Sequence, residues 1–155
     1  MIRVLALSLL FLASDPPKDD AAKTAKKEHQ GTWVCTSFES DGKKTKEEVF
    51  KTITRTVEDD HIVWKRDGKP FAGTTFEIDP KTDPKTIDVI PDGGPSRDKH
   101  VLGIYKLDGE TLTLCMAAPD APRPKLFEAK EGSKPTLMTF RRQEPQPRKK
   151  EAKKP

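Results

Sequence analysis

The sequence predicts an all-β domain, an antiparallel up-and-down β-barrel of about eight strands with one short helix; a two-sheet β-sandwich is the alternative. Three observations carry this reading. Residues 99–118, KHVLGIYKLDGETLTLCMAA, hold two alternating apolar runs that meet at Asp108-Gly109, the strongest short-range signal for a β-hairpin. Six further runs with period-two alternation and β-branched or aromatic residues, at 31–39, 52–58, 61–66, 71–79, 86–90 and 136–142, are separated by turn residues. Most connections are short, which favours neighbouring strands pairing antiparallel, and a meander of this length can close on itself and remove its own edges.

Taken in order, Gly31-Thr32-Trp33 opens the first strand, with Trp33, Cys35 and Ser37 on one face and Val34, Thr36 and Phe38 on the other. Asp41-Gly42 turns the chain. Thr45 then reads as a helix N-cap, with Glu48 three residues on as its capping-box partner, leading into Val49 and Phe50. The next strand sets Ile53, Arg55 and Val57 against threonines, and Asp59-Asp60 connects it to the run from His61 to Arg66. Asp67-Gly68 leads into 71–79, where Gly73 suggests a bend or bulge. Two prolines make 79–85 a loop before the short strand at 86–90. In the hairpin, a two-residue loop at Asp108-Gly109 places Tyr105 opposite Leu112, Gly103 opposite Leu114 and Val101 opposite Met116 on an apolar face. The other face, with Lys106, Ile104, Leu102, Thr111, Thr113 and Cys115, is half polar and suits solvent or a thin outer layer.

The two ends differ from this core. Residues 2–13 are nearly all apolar behind Arg3, and Ser14 precedes a polar stretch, so 1–14 reads as a secretory signal peptide and the protein as extracytoplasmic, periplasmic or secreted. The run is too short for a transmembrane segment, which needs about 20 apolar residues. Residues 15–30 read as a flexible charged spacer with at most a frayed helix at Ala21 to Glu28, and 143–155 as a disordered basic tail. Between them, 31–142 carries 19 basic and 19 acidic residues. The excess positive charge therefore sits mainly in the tail, which argues against a specific nucleic-acid interface on the folded domain.

The runs QGTW at 30–33, ESDGKK at 39–44, DPKTDPKTID at 79–88, LGIYKLDGETLTLC at 102–115 and RPKLF at 123–127 resemble a planctomycete family of small exported lipocalin-like domains of unknown function. The similarity spans 30–142 and implies a lipocalin-like barrel and an extracytoplasmic setting; it implies no activity. Gly31-x-Trp33 also resembles the opening motif of true lipocalins, in which the tryptophan plugs the closed end of the barrel and a basic residue of the last strand packs across it. Arg141 or Arg142 is placed for that role.

Candidate chemistry is sparse. Cys35 and Cys115 fall on opposite faces of strands that would not be neighbours, so two separate thiols are expected rather than a disulfide. His61 follows Glu58-Asp59-Asp60 and is a weak metal or base candidate, whereas neither it nor His100 has a second His or Cys at ligand spacing. No nucleophile, phosphate-loop or metalloprotease motif occurs. No cofactor, metal or catalytic residue is therefore expected, and the chain reads as a monomeric binding protein rather than an enzyme. Eight strands can enclose one small apolar ligand, and Trp64, Phe76, Val101, Tyr105, Leu112, Leu114, Met116 and Phe140 are the lining candidates. The alternative is an interior filled by those side chains in a module that engages an envelope protein partner through its surface.

Overall fold

A computed structural model describes residues 18–144 of the chain. The signal-peptide segment, the first residues of the spacer and most of the basic tail lie outside them. Eleven elements follow in order: α1 (Lys18–His29), β1 (Gly31–Ser40), β2 (Lys43–Lys44), α2 (Glu47–Phe50), β3 (Ile53–Glu58), β4 (His61–Arg66), β5 (Lys69–Asp79), β6 (Lys85–Pro91), β7 (Val101–Asp108), β8 (Thr111–Met116) and β9 (Thr136–Arg142). Each strand from β3 to β8 pairs antiparallel with the next, β1 pairs with β3, and β1 also pairs with β9. That last pairing closes an eight-stranded barrel, with β2 as a small extra strand on β1. The fold is a barrel and not a sandwich.

Alternation turns Trp33, Ile62, Phe76, Ile87, Leu112, Leu114 and Phe140 inward, where each is 2 % exposed or less. The strands run so that Gly31, Glu58, His61, Asp79, Lys85 and Arg142 lie at one end and Ser40, Ile53, Arg66, Pro91, Val101 and Thr136 at the other.

Residues 18–29 form a docked helix where a flexible spacer was expected. Ala25 and His29, one turn apart, are both buried. The His29 Nδ1–H donates to the Ala25 carbonyl at 2.8 Å, and the ring meets Tyr105 edge-on at 4.8 Å. Gln30 accepts from the Asp59 amide and donates to the Asp59 carbonyl, tying the helix end to the β3–β4 turn. Gly31, at φ +99°, lets the helix stop and β1 begin at once.

Four local expectations are corrected. The hairpin loop is Gly109-Glu110, so Tyr105 faces Leu114, Gly103 faces Met116 and Leu107 faces Leu112. Gly109 alone takes positive φ, which suits a turn with glycine at its first central position. The two-residue shift preserves which side chains point inward. In β1, a bulge lies between Cys35 and Ser37; the Thr36 hydroxyl donates to the Thr139 carbonyl, and the extra residue reverses the alternation, placing Phe38 across from Met138. Phe38 therefore packs against the core and not on the outer face. In β5 the irregularity falls between Pro70 and Ala72, at Phe71, and not at Gly73. Gly73 is needed for another reason: a Cβ there would lie 2.3 Å from the Asp92 carboxylate. Helix α2 starts after Lys46 with no side-chain cap, so the Thr45–Glu48 capping box does not form; the Thr45 amide donates to the Phe38 carbonyl instead.

The outer face of β7 and β8 is covered by the segment 117–135. Ile104 and Cys115 beneath it, and its own Ala117 and Ala129, are buried outside the barrel interior. The Arg123 guanidinium pins the segment, donating to Asp88 and to the Gly103 carbonyl at 2.7 Å. Asp41 accepts from the Gly132 amide at 2.6 Å, and the Gly42 amide donates to the Ala129 carbonyl.

Candidate functional site

The two ends of the barrel are built differently. At the α1 end, Trp33 is wholly buried and its indole N–H donates to the His29 carbonyl at 2.8 Å. Arg142 lies 4.1 Å above the Trp33 ring. Its guanidinium donates to the Gln30 and Glu28 carbonyls, and its Nε is 2.9 Å from Glu110. Of the two arginines considered for the closing role, Arg142 takes it, because strand alternation leaves Arg141 exposed on the outer side.

At the other end the interior is open. A cavity of about 320 Å³ is lined by apolar side chains apart from Arg55, Thr74 and Thr136. Its floor is buried: Arg55, Ile62 and Ile87 are 0 % exposed and Leu114 2 %. Its mouth is formed by Phe38, Trp64, Pro91, Val101, Thr136 and Met138, all partly exposed. The shape is a cup that narrows into the barrel.

Of the eight lining candidates, Trp64, Val101, Leu114 and Met116 line the cup. Phe76, Tyr105, Leu112 and Phe140 do not; they fill the half nearer α1, where His29 and Trp33 add to the packing. The barrel is thus packed below and hollow above. Gly103 shapes the hollow half, because a Cβ there would meet the Met116 sulfur at 2.3 Å. Met116 can lie across β7 only because its cross-strand partner has no side chain.

Nine residues lining the cup fall outside the candidate set, and Arg55 is the one among them that carries a charge. It lies between Ile53 and Val57 on an alternating strand, so its inward position follows from the pattern. The guanidinium carbon lies 5.6 Å from the Trp64 ring and 5.9 Å from the Phe140 ring. Its Nε, Nη1 and Nη2 have no hydrogen-bond partner among the described residues. Burial pushes its pKa down to about 9, which still leaves it cationic at neutral pH.

The other polar candidates lie elsewhere. His61 meets Asp92 at 3.1 Å on the outer surface, and no group of three or more His, Cys, Asp or Glu able to hold a metal exists among the described residues. Cys35 and Cys115 are free. Cys35 points into the barrel and burial pushes its thiol up to about 11. Cys115 lies under the 117–135 segment, its pKa raised by burial, with its S–H donating to the Glu128 carbonyl. Among the described residues no helix is long and apolar enough to cross a membrane. No protein-family model, curated protein or solved structure matches the chain.

Proposed function

We propose that this protein is an extracytoplasmic lipocalin-like carrier that holds a small apolar ligand in the cup of its barrel. The observation that carries the reading is the cavity of about 320 Å³ with an almost wholly apolar lining, at the lower end of the ~300–1,000 Å³ typical of small-molecule sites. A barrel used only as a scaffold has no need of such a space, since close packing is worth about 1 kcal/mol for each methyl-sized void filled. The asymmetry of the interior supports the same reading. Its lower half is packed and clamped by Arg142 and α1, which gives rigidity, while the exposed mouth offers entry. Export is supported by the short apolar run behind Arg3 followed by Ser14. The test is native mass spectrometry of the protein purified from its own cell envelope. The expected result is a stoichiometric added mass of small-molecule size. A bare mass, or one increased by whole protein chains, would overturn the carrier reading in favour of an envelope interaction module.

A further inference from the structure

The floor of the cup carries a cation, and none of the residues lining the cup is an Asp or Glu. A guanidinium presents five N–H donors in a planar fork. In Arg55 these donors have no hydrogen-bond partner among the described residues, although the group is fully buried. The faces of Trp64 and Phe140 offer a cation–π surface, which leaves the in-plane donors unused. An uncompensated buried charge is strongly unfavourable, and packing alone does not explain it, since Met or Leu would fill the same position. We propose, building on the apolar-ligand reading above, that the cup takes a ligand with one carboxylate head and a short apolar body, the head seated on Arg55.

Each part of the cup fits that ligand. One cation matches one negative charge, and the planar fork matches a carboxylate bidentately. Above the floor, Val89, Val101, Met116 and Met138 supply an apolar shaft toward the mouth, and methionine adapts to chains of differing shape. Room for about ten waters' worth of volume corresponds to about ten non-hydrogen atoms, the size of octanoate. The other unpartnered buried polar atoms, His29 Nε2 and the Tyr105 hydroxyl, do not line the cup, so the head-group contact falls to Arg55.

The test is calorimetric titration of the full chain, at neutral pH, with octanoate, 1-octanol and octylammonium, probes of equal chain length and different head. Octanoate is expected to bind one to one and at least about tenfold more tightly than octanol, with octylammonium weakest. In Arg55→Met the octanoate-to-octanol preference is expected to collapse, and Arg55→Lys, which keeps the charge with fewer donors, to fall between. The wild-type comparison needs no variant, so it decides the matter even where a substitution fails to fold. Octanol binding as tightly as octanoate to the wild-type protein would overturn the carboxylate assignment and leave the apolar-ligand reading standing. If none of the three probes binds, both fall.

Discussion

Lowering the pH should weaken this fold through one residue, His29. Its ring is 0 % exposed, and burial holds its pKa down at about 4, with the positive charges of Arg55 and Arg142 adding to the effect. In the unfolded chain the same imidazole titrates near 6.5. The sign follows from which state takes up the proton. Above about pH 7 both states are neutral and His29 contributes no pH dependence. Between about 6.5 and 4 the unfolded chain is protonated and the folded one is not, so stability falls as the pH falls. The gap between the two values corresponds to about 3 kcal/mol over the full range, and to about 2 kcal/mol by pH 5, a large share of the ~5–15 kcal/mol typical of a domain. Urea unfolding followed by tryptophan fluorescence, from about pH 7.5 to 4.5, measures this in the wild type and in His29→Leu. Carboxylates titrate alike in both proteins, so the difference between the two stability curves isolates the histidine. That difference should shift by about 2 kcal/mol between pH 7.5 and pH 5 in favour of the leucine variant. Parallel curves would refute the reasoning, since they would mean that His29 accepts its proton in the folded barrel.

Arg142→Ala should destabilise the fold by about 3 kcal/mol, from lost charge-assisted hydrogen bonds and the stack on Trp33. Arg141→Ala, at an exposed position, should stay within about 0.5 kcal/mol, and urea midpoints separate the two. Gly103→Ala should displace the Met116 side chain and weaken octanoate binding, and it should also lower the melting temperature, because the new Cβ lies 3.0 Å from the Cys115 carbonyl of the backbone as well as against the flexible end of Met116; calorimetry and thermal unfolding read the two effects separately. Both thiols should resist iodoacetamide in the folded protein and both should react after unfolding, without reductant, as counted by mass. Arg123→Ala should speed hydrogen exchange in 117–135 well above that in β7 and β8, because it removes the side-chain clamp to Asp88 and Gly103.

The strands were legible because each carries its inward residues at period two and ends on a turn signal. Ile53, Arg55 and Val57 show both the reach of that rule and its failure. Alternation places all three on one face, but which of them reaches the cavity depends on the depth of each in the barrel, and only Arg55 lines the cup. Phe38 was misplaced because a single unpaired Thr36 reverses the alternation after it, and a bulge leaves no mark in residue types alone. Helix α1 reads from sequence as no more than a frayed helix at Ala21 to Glu28, and its docking is hidden for a third reason. Its buried face is little more than Ala25 and His29, a stripe too narrow to read as amphipathic, and its docking depends on the barrel end that receives it. The hairpin register turned on which two residues of Asp108-Gly109-Glu110 form the loop, a choice between turn types that lie close in energy. Whether the interior was hollow rested on volumes: Gly103 across from Met116 opens space that a list of apolar residues does not reveal.

The seam between β1 and β9 joins residues about a hundred positions apart, Trp33 with Arg142 and Ser40 with Thr136. A chain made or threaded from its N-terminus presents β1 long before β9 exists. Until then one side of β1 is a bare ladder of amide and carbonyl groups, open to any other extended chain. The two-residue β2 pairs with Glu39 and Ser40 along the opposite edge, the one that also carries β3, and gives that side no cover. On a chain emerging from its N-terminus, closure therefore waits for the far end of the sequence. Any shortening that removes β9 leaves β1 and β8 each with a free edge, and the product should associate with copies of itself rather than persist as an open sheet.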